Sequence, residues 1–256
     1  IDLGRTTERP SLVNFMSEVL LKKKDEAIKF QKLGKIDKAI KIYEEILLID
    51  KNNSQIYFFL GSAYLQKSFY KKAIKYLYKC VERDKKHYFA YNNIGIAHVR
   101  IQNVLTAKKF FNKSLEIKSD FRDAILNLIN IYKNESDNFK LIKLYSKLAI
   151  IDPKEKGINL QVGIIYNKLK DYKKTITSYQ KELKIDPSKK YLKGEIINLK
   201  LKICDWDKIR LLADKYNLLV IEDSADTLGA TLNNYKTGYY SDMSITSFYG
   251  SHIINC

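Results

Sequence analysis

The residue types that most often carry chemistry are few in this chain. Its 256 residues include three cysteines, Cys80, Cys204 and Cys256, which are far apart and form no CxxC pair. No histidine lies at metal-ligand spacing, so we predict neither a zinc site nor disulfides, and no metal of any kind. His87 and His98 have no cysteine beside them in the sequence. A cysteine nucleophile is therefore not predicted either.

Side-chain amides, in contrast, recur at a constant spacing. Asn93, Asn127 and Gln161 are 34 residues apart, and Asn92 adjoins the first of them. An amide both donates and accepts hydrogen bonds, so a row of amides can pair with the backbone of a peptide without reading its side chains. We predict that these four residues contact a bound peptide, if the elements that carry them bring them to one surface.

The same spacing runs through other residue types and predicts the architecture. It relates Gly61 to Gly95, Ala39 to Ala73 and Ala107, Tyr132 to Tyr166, Tyr145 to Tyr179, and Pro153 to Pro187. Within each period the apolar residues are spaced as on one face of a helix, and they form two amphipathic segments. The proline of each IDP sequence ends the second segment, because it has no N–H and restricts the residue before it. The pattern predicts stacked pairs of helices.

Small residues hold fixed places in this pattern. Gly61, Gly95 and Gly163 on the first helix, with Ala73 and Ala107 on the second, predict that paired helices approach closely. The sequences LGSAY…KKAI, IGIAH…LTAKKFF and VGIIY…ITSY…IDP resemble the tetratricopeptide repeat. The resemblance implies an all-α fold, a right-handed superhelix of about five helix pairs plus a cap.

We place the repeats at residues 20–53, 54–87, 88–121, 122–155 and 156–189, after a lead-in over 1–19. The first repeat matches the pattern less well, and the fourth has Ile129 and Leu141 where small residues are usual. The last repeat of such a stack needs a cap. Apolar residues at 192, 196, 197, 199 and 201 predict a capping helix, with a junction to residue 206.

A stack of this kind has a concave groove lined by the first helix of each pair, which suits an extended peptide or a partner helix. We therefore predict a protein-interaction scaffold whose partner is a protein or peptide, and whose repeats need no cofactor. The formal net charge is +17, but lysines are spread through nearly every segment, so we expect neither nucleic acid nor membrane as a partner. The lack of a long apolar run and of signal-peptide features predicts a cytoplasmic protein.

The pattern changes after Trp206. KIRLLADKYN forms an amphipathic helix, LLVIED is a short apolar run that ends in carboxylates, and DMSITSFYG has the composition of a second strand. One helix and two short parallel strands cannot cover both faces of a sheet. Residues 207–256 are therefore predicted to form a short, incomplete α/β segment.

The residues LLADKYNLLVIEDSADTLGATLNNYKTGYYSDMSITSFYGSH resemble part of the cofactor-binding domain of the DegT/DnrJ/EryC1/StrS family, sugar aminotransferases that use pyridoxal phosphate. The resemblance implies that Asp223 faces the pyridine nitrogen and that Ser247 contacts the phosphate. His252 stands where the family has its Schiff-base lysine, which excludes ordinary transamination through an enzyme lysine. With Asp226, this histidine is similar to the branch that uses pyridoxamine phosphate to deoxygenate keto-sugars, where histidine is the base.

Three functions stay open on the sequence. The first is a scaffold that carries an inactive enzyme fragment, as a fusion, a truncation or an assembly error would leave it. The second is a targeting module on a sugar aminotransferase or dehydrase, with pyridoxal or pyridoxamine phosphate as cofactor. The third is the repeat region of an O-linked N-acetylglucosamine transferase. The four amides resemble the asparagine ladder of such enzymes, and ICDWD at 203–207 resembles the segment that follows their repeats. We expect no catalytic activity from this chain by itself, since the family's glycine-rich phosphate-binding turn and second domain are missing from it.

Overall fold

The computed structural model of the chain describes residues 12–203, 206–223, 231–232, 235–236, 239 and 241–245. They form the helices α1 Leu12–Lys32, α2 Ile36–Ile49, α3 Ser54–Gln66, α4 Tyr70–Arg83, α5 Tyr88–Arg100, α6 Val104–Ile117, α7 Arg122–Asn134, α8 Asn138–Ile151, α9 Ile158–Lys168, α10 Tyr172–Ile185, α11 Tyr191–Lys202 and α12 Trp206–Tyr216. The strands are β1 Ile221–Asp223, β2 Thr231–Leu232, β3 Tyr235–Lys236 and β4 Met243–Ile245. The chain divides into two compact units, residues 1–140 and 141–256.

The predicted helical fold is confirmed, and the helices follow the 34-residue period. In the first unit, α1 packs on α2, α3 on α4 and α5 on α6, and each pair also contacts the next. The helix α1 begins at Leu12, before the predicted start of the first repeat at residue 20. The predicted effect of proline also holds, since α8 ends two residues before Pro153 and α10 two residues before Pro187.

Close approach within each helix pair explains the glycine of the first helix. A Cβ atom added to Gly95 on α5 would lie 2.6 Å from Cε1 of Phe111 on α6. A Cβ atom on Gly163 would lie 2.3 Å from Cε1 of Tyr179 on α10. Both distances are shorter than any normal carbon contact, and both aromatic rings are buried. The steric role predicted for these glycines is therefore confirmed.

The turn between the two helices of a pair uses the left-handed backbone region at one fixed position. That position has φ between 56° and 74° in five successive repeats, at Gly34, Ser68, Gln102, Ser136 and Lys170. Glycine occupies it only in the first of these five turns. The left-handed conformation costs an L-residue about 1–2 kcal/mol, so four of the five turns are built against the preference of their residue.

Replacing Lys170 by glycine is therefore expected to stabilise the second unit. Relief of the left-handed penalty outweighs the extra chain entropy of glycine, for a net gain of about 0.5–1 kcal/mol. Lys168→Gly is the matched control, because Lys168 is equally exposed but lies in α9 with right-handed geometry. That control should lose about 0.5–1 kcal/mol in urea unfolding. Equal losses in both variants would contradict the role assigned to the turn.

A buried carboxylate organises the second unit. Glu182 on α10 is 0% exposed, and its Oε1 accepts a hydrogen bond of 2.7 Å from the backbone N–H of Gly157. Its Oε2 accepts a second one of 3.3 Å from the N–H of Leu160. Gly157 precedes α9 and supplies no side-chain cap of its own, so Glu182 caps α9 from the neighbouring helix. Lys189, in the turn after α10, pairs with the same carboxylate.

The helix α11 closes the end of the repeat stack. Its Leu192, Ile196 and Leu199 are at most 3% exposed and cluster with Ile176 and Tyr179 of α10. The other side of α11 continues into the last segment, where Ile197 and Leu201 pack against Ala213 of α12 and Val220. One helix therefore contacts both the last repeat and the segment that follows it.

The last segment contains the predicted parallel strand pair. β1 pairs with β4 in parallel, with Asp223 opposite Ile245, and β2 pairs with β3 in antiparallel orientation. Asp242, the residue before β4, links α12 to the residue before β1. Its carboxylate accepts hydrogen bonds from Arg210 of α12 at 2.8 Å and from the backbone N–H of Val220 at 2.9 Å. Both hydrogen bonds lower the pKa of Asp242, the one from the Val220 N–H most.

Candidate peptide-binding surface

The first helices of the first unit are neighbours and present one common face. α3 contacts α5, and α5 contacts α7. Side chains three or four residues apart on a helix share a face. We call the resulting set the first-helix surface, and each of its members is either half-buried or exposed. They are Phe58, Ser62 and Leu65 on α3, Phe89, Asn93, Ile96 and Val99 on α5, and Leu126, Asn127 and Asn130 on α7.

Apolar side chains on this surface remain open to solvent. Phe89 is 43% exposed, Val99 37% and Leu126 36%. The ring of Phe89 lies 6.3 Å from that of Phe58 and 5.1 Å from that of Phe121, which is the residue before α7. These rings follow one another from α3 to the residue before α7, and together with Val99 and Leu126 we call them the apolar strip. The strip offers a partner area that can be removed from water.

Amide side chains lie beside this strip. Asn93 Nδ2 donates to Ser62 Oγ at 3.0 Å, and Asn127 Nδ2 donates to Asn92 Oδ1 at 3.0 Å. Asn92 is 4% exposed, so it lies beneath the surface and holds Asn127 in place. The carbonyl oxygens of Asn93 and Asn127 keep acceptor capacity for a ligand. Gln161 is half-buried on α9 of the second unit.

Sequence reasoning missed the pairing of Asn127 with Asn92. The 34-residue register links Asn127 to Asn93, whereas the hydrogen bond goes to the residue one position earlier. That choice depends on how α7 lies against α5, and no spacing along a single helix reveals it. The contact of the four amides with a peptide stays a prediction.

The histidines of the first unit are built into its packing. His87 accepts a hydrogen bond from the backbone N–H of Ala90 at its Nδ1, 3.2 Å away, and so caps α5. His98 is 9% exposed, and its ring is parallel to that of Phe110 at 5.7 Å. Neither ring nitrogen of His98 has a hydrogen-bond partner. Burial lowers the pKa of both histidines.

Acidification is consequently expected to destabilise the first unit. The pKa of each histidine is lower in the folded chain than its unfolded value of about 6.5, so the stability contributed by the neutral histidine is fully present above that unfolded value. This stability is lost as the pH falls from there through the folded pKa. His98→Phe should stabilise the unit by about 1 kcal/mol at neutral pH, by removing buried polar atoms without partners. Its advantage over the unchanged chain should widen at about pH 5.5 in thermal unfolding.

His87→Asn serves as the matched variant for the second histidine. Asparagine caps helices well and does not titrate, so the cap should persist at low pH. The variant with both changes should show the flattest dependence of unfolding temperature on pH. An undiminished fall in that variant would assign the acid sensitivity to other groups.

The remaining candidate group of the described repeats is the thiol of Cys80. Cys80 is fully buried on α4, and burial raises the pKa of its thiol to about 12. A thiol of that pKa stays protonated near neutral pH and is a poor nucleophile. Within the described residues, no group of three or more histidine, cysteine or acidic side chains is placed to hold a metal ion. None of the described helices is long and apolar enough to span a membrane.

The predicted cofactor residues fall at the end of the chain. Asp223 is the last residue of β1, beside Ile245 of β4. Asp226, Ser247 and His252 lie outside the described residues. Carboxyl ends of neighbouring parallel strands meet at one edge, which is where α/β sheets bind ligands. Ser247 follows the last residue of β4 by two positions in the sequence, and the contacts of these four residues with a cofactor stay a prediction.

Comparison with known proteins identifies two kinds of sequence in the chain. The tetratricopeptide repeat family model matches residues 30–53, 54–87, 90–121 and 157–189. These matches leave out the predicted fourth repeat, in which Ile129 and Leu141 replace the usual small residues. The DegT/DnrJ/EryC1/StrS aminotransferase family model matches residues 196–256. That match begins inside α11 and includes the ICDWD segment.

Individual relatives agree with this division. GDP-perosamine synthase of Caulobacter vibrioides is 45% identical over 58 residues, which make up 23% of this chain and 16% of the synthase. The chain thus spans only a small part of the length of that relative. The crystal structure of MamA protein aligns over 68% of this chain and 96% of its own, with TM-score 0.57 and 24% identity. YrrB, described as a repeat protein with an unusual peptide-binding site, aligns over 66% of this chain and 88% of its own, with TM-score 0.51 and 16% identity.

Proposed function

Because the chain carries tetratricopeptide repeats and ends in a segment that matches the DegT/DnrJ/EryC1/StrS family, we propose that it is a protein-interaction scaffold whose first-helix surface binds a peptide of a partner protein. The observation that carries the proposal is that three apolar side chains of the strip, Phe89, Val99 and Leu126, are exposed on the same first-helix surface as the amides of Asn93 and Asn127. Apolar pockets with a few polar groups are the usual chemistry of peptide grooves. The peptide-binding site named for YrrB gives the same fold a precedent.

The apolar strip and the amides have different tasks in this proposal. Side chains of the peptide contact the strip and are removed from water, which supplies most of the affinity. The amides bond to the peptide backbone and set its direction without restricting its sequence. We therefore expect the bound peptides to share apolar residues at fixed spacing and to vary elsewhere.

A displayed peptide library selected on the whole chain tests this proposal. Fluorescence anisotropy would then measure the selected peptides on the Val99→Glu, Leu126→Glu variant, where binding should weaken by at least about tenfold, because two carboxylates enter the strip. Leu105→Glu is the control, since Leu105 is 73% exposed on the second helix α6. An equal loss in the control, or no loss in the double variant, would place the binding site elsewhere.

A second function concerns the last segment. We propose that it forms part of a pyridoxal or pyridoxamine phosphate site in a sugar aminotransferase or dehydrase, with the repeats as its targeting module. The 45% identity to a GDP-perosamine synthase supports this role, as does the parallel pairing of β1 with β4. When bound, the cofactor supplies an electron sink for carbon acids. Asp223 would then hold a proton on the pyridine nitrogen, Ser247 would hold the phosphate, Asp226 would line the same edge, and His252 would move a proton.

Absorbance titration with pyridoxamine phosphate tests the second function without measuring catalysis. A saturable band shift is expected for the unchanged chain, and it should be lost in Ser247→Ala and altered in Asp223→Asn. With pyridoxal phosphate, His252→Lys should produce a visible band that the unchanged chain lacks. Spectra identical to those of the free cofactor would reject a cofactor site in this chain and leave the scaffold proposal unaffected.

A further inference from the structure

The helix α10 has a cavity on each of its two sides, and both cavities lie within the second unit. The first, of about 640 Å³, is bounded by α8, α9 and α10. The second, of about 490 Å³, is bounded by α10, α11 and α12. These volumes lie within the range of ligand-binding clefts. Neither cavity includes a residue of the first-helix surface.

Two lysines of α10 line both cavities. Lys181 and Lys184 are exposed and, among the described residues, form no ion pair. Lys193 and Lys215 add positive charge to the second cavity, and both lie near the ring of Tyr216. No described aspartate or glutamate lines either cavity. Four ammonium groups in a lining without a described carboxylate create a locally positive potential.

Apolar side chains also line both cavities. Ile150 and Val162 line the first, and Ile196 and Leu212 line the second. Ile150 is 80% exposed, so an apolar side chain bound in the first cavity would remove it from water. A free phosphate or another small anion would use the lysines but leave this apolar area in water.

We infer that this α10 surface binds an acidic peptide segment, in which carboxylates pair with Lys181 and Lys184 while apolar side chains enter the cavities on either side. The positive charge of the lining argues for an acidic partner, and its aliphatic side chains argue for a peptide over a nucleic acid. Bases bind single-stranded sites by stacking on aromatic rings. The tyrosines here, Tyr166 and Tyr216, already lie beneath lysine ammonium groups.

The docking surface is separate from the one assigned to the scaffold function. The cavity beside α12 also joins the last repeat to the segment that matches the aminotransferase family. An acidic segment bound there would contact both kinds of sequence at once. The Val99→Glu, Leu126→Glu variant should therefore leave this binding unchanged, which separates a failure of one proposal from a failure of the other.

Fluorescence anisotropy on the whole chain tests the inference. The probe is a labelled peptide of roughly 12 residues that alternates glutamate pairs with leucine, and its comparison peptide has glutamine for every glutamate. We expect the acidic peptide to bind at least about tenfold more tightly than the glutamine peptide, and to weaken between about 50 and 200 mM salt. Equal binding of the two peptides would overturn the inference.

Charge reversal locates the site. Lys181→Glu, Lys184→Glu should weaken binding of the acidic peptide by at least about tenfold. Lys71→Glu, Lys85→Glu makes the same change in net charge at exposed positions of the first unit, and should alter binding by less than about twofold. Equal losses in the two double variants would show that only overall charge matters. Tighter binding of an oligothymidylate or of phosphatidylserine vesicles at Lys181 and Lys184 would also overturn the peptide assignment.

Discussion

Replacing Glu182 by alanine is expected to lower the free energy of unfolding of the second unit by about 2–4 kcal/mol, the cost of leaving two backbone donors without an acceptor. The carboxylate is fully buried, so its loss leaves the N–H groups of Gly157 and Leu160 without an acceptor. Lys189 would also keep its charge, with Asp186 at 3.7 Å as its remaining carboxylate partner among the described residues. The effect therefore combines a lost cap with a weakened ion pair.

Urea unfolding followed by circular dichroism gives the size of this effect, and hydrogen exchange gives its location. The amides of Gly157 and Leu160 should exchange faster in Glu182→Ala, while those of the first unit should not change. Glu195→Ala is the control, because Glu195 is exposed on α11. Glu182→Gln keeps an acceptor oxygen but no charge, and should fall between the two. A loss no larger than that of the control would contradict the capping role.

Adding one methyl group to Gly95 or Gly163 is expected to destabilise the chain in spite of a better helix propensity. Alanine gains about 1 kcal/mol over glycine in a helix, whereas overpacking a tight contact costs about 1–3 kcal/mol. The new Cβ atom would press on the buried ring of Phe111 or Tyr179, each of which belongs to the partner helix of the pair. We expect the net loss to be about 1–2 kcal/mol, and greater for Gly163→Ala, where the contact is shorter.

Gly194 provides the matched control for these two substitutions. It lies inside α11, and a Cβ atom added there would meet nothing within 4 Å. Gly194→Ala should therefore stabilise the chain by about 0.5–1 kcal/mol, through helix propensity alone. Thermal unfolding of the three variants side by side gives the comparison. If all three variants gain stability, the glycines do not set the spacing of the helices.

Features repeated along the chain could be predicted from the sequence. The period of 34 residues predicts the helix pairs, because each pair is a local unit that packs on similar neighbours. The small residues predict that the two helices of a pair approach closely. The ring of Phe111 confirms this, because it leaves no room for a Cβ atom on Gly95. Parallel pairing of β1 with β4 was likewise predicted, from two short strand-like runs that follow one helix and are separated by a stretch with glycines and asparagines.

Features that depend on one particular neighbour could not be predicted. Glu182 occupies the position where other repeats have Cys80 and Ser114, and nothing in its own helix shows that it caps α9. The left-handed turns escape notice because a residue such as Lys170 carries no sign of its backbone conformation. The hydrogen bond from Asn127 depends on the register between two helices.

The cluster of Ile197 and Leu201 with Ala213 and Val220 determines how the chain can be divided. The family match begins at residue 196, so the boundary between the two kinds of sequence runs through a packed interior and not through a linker. A shortened chain that stops after α11 would expose half of that cluster, and one that starts at α12 would expose the other half. A different domain fused to these repeats would therefore need a first helix whose side chains pack against Ile197 and Leu201. Without such a helix, the fusion would leave these two residues exposed to solvent.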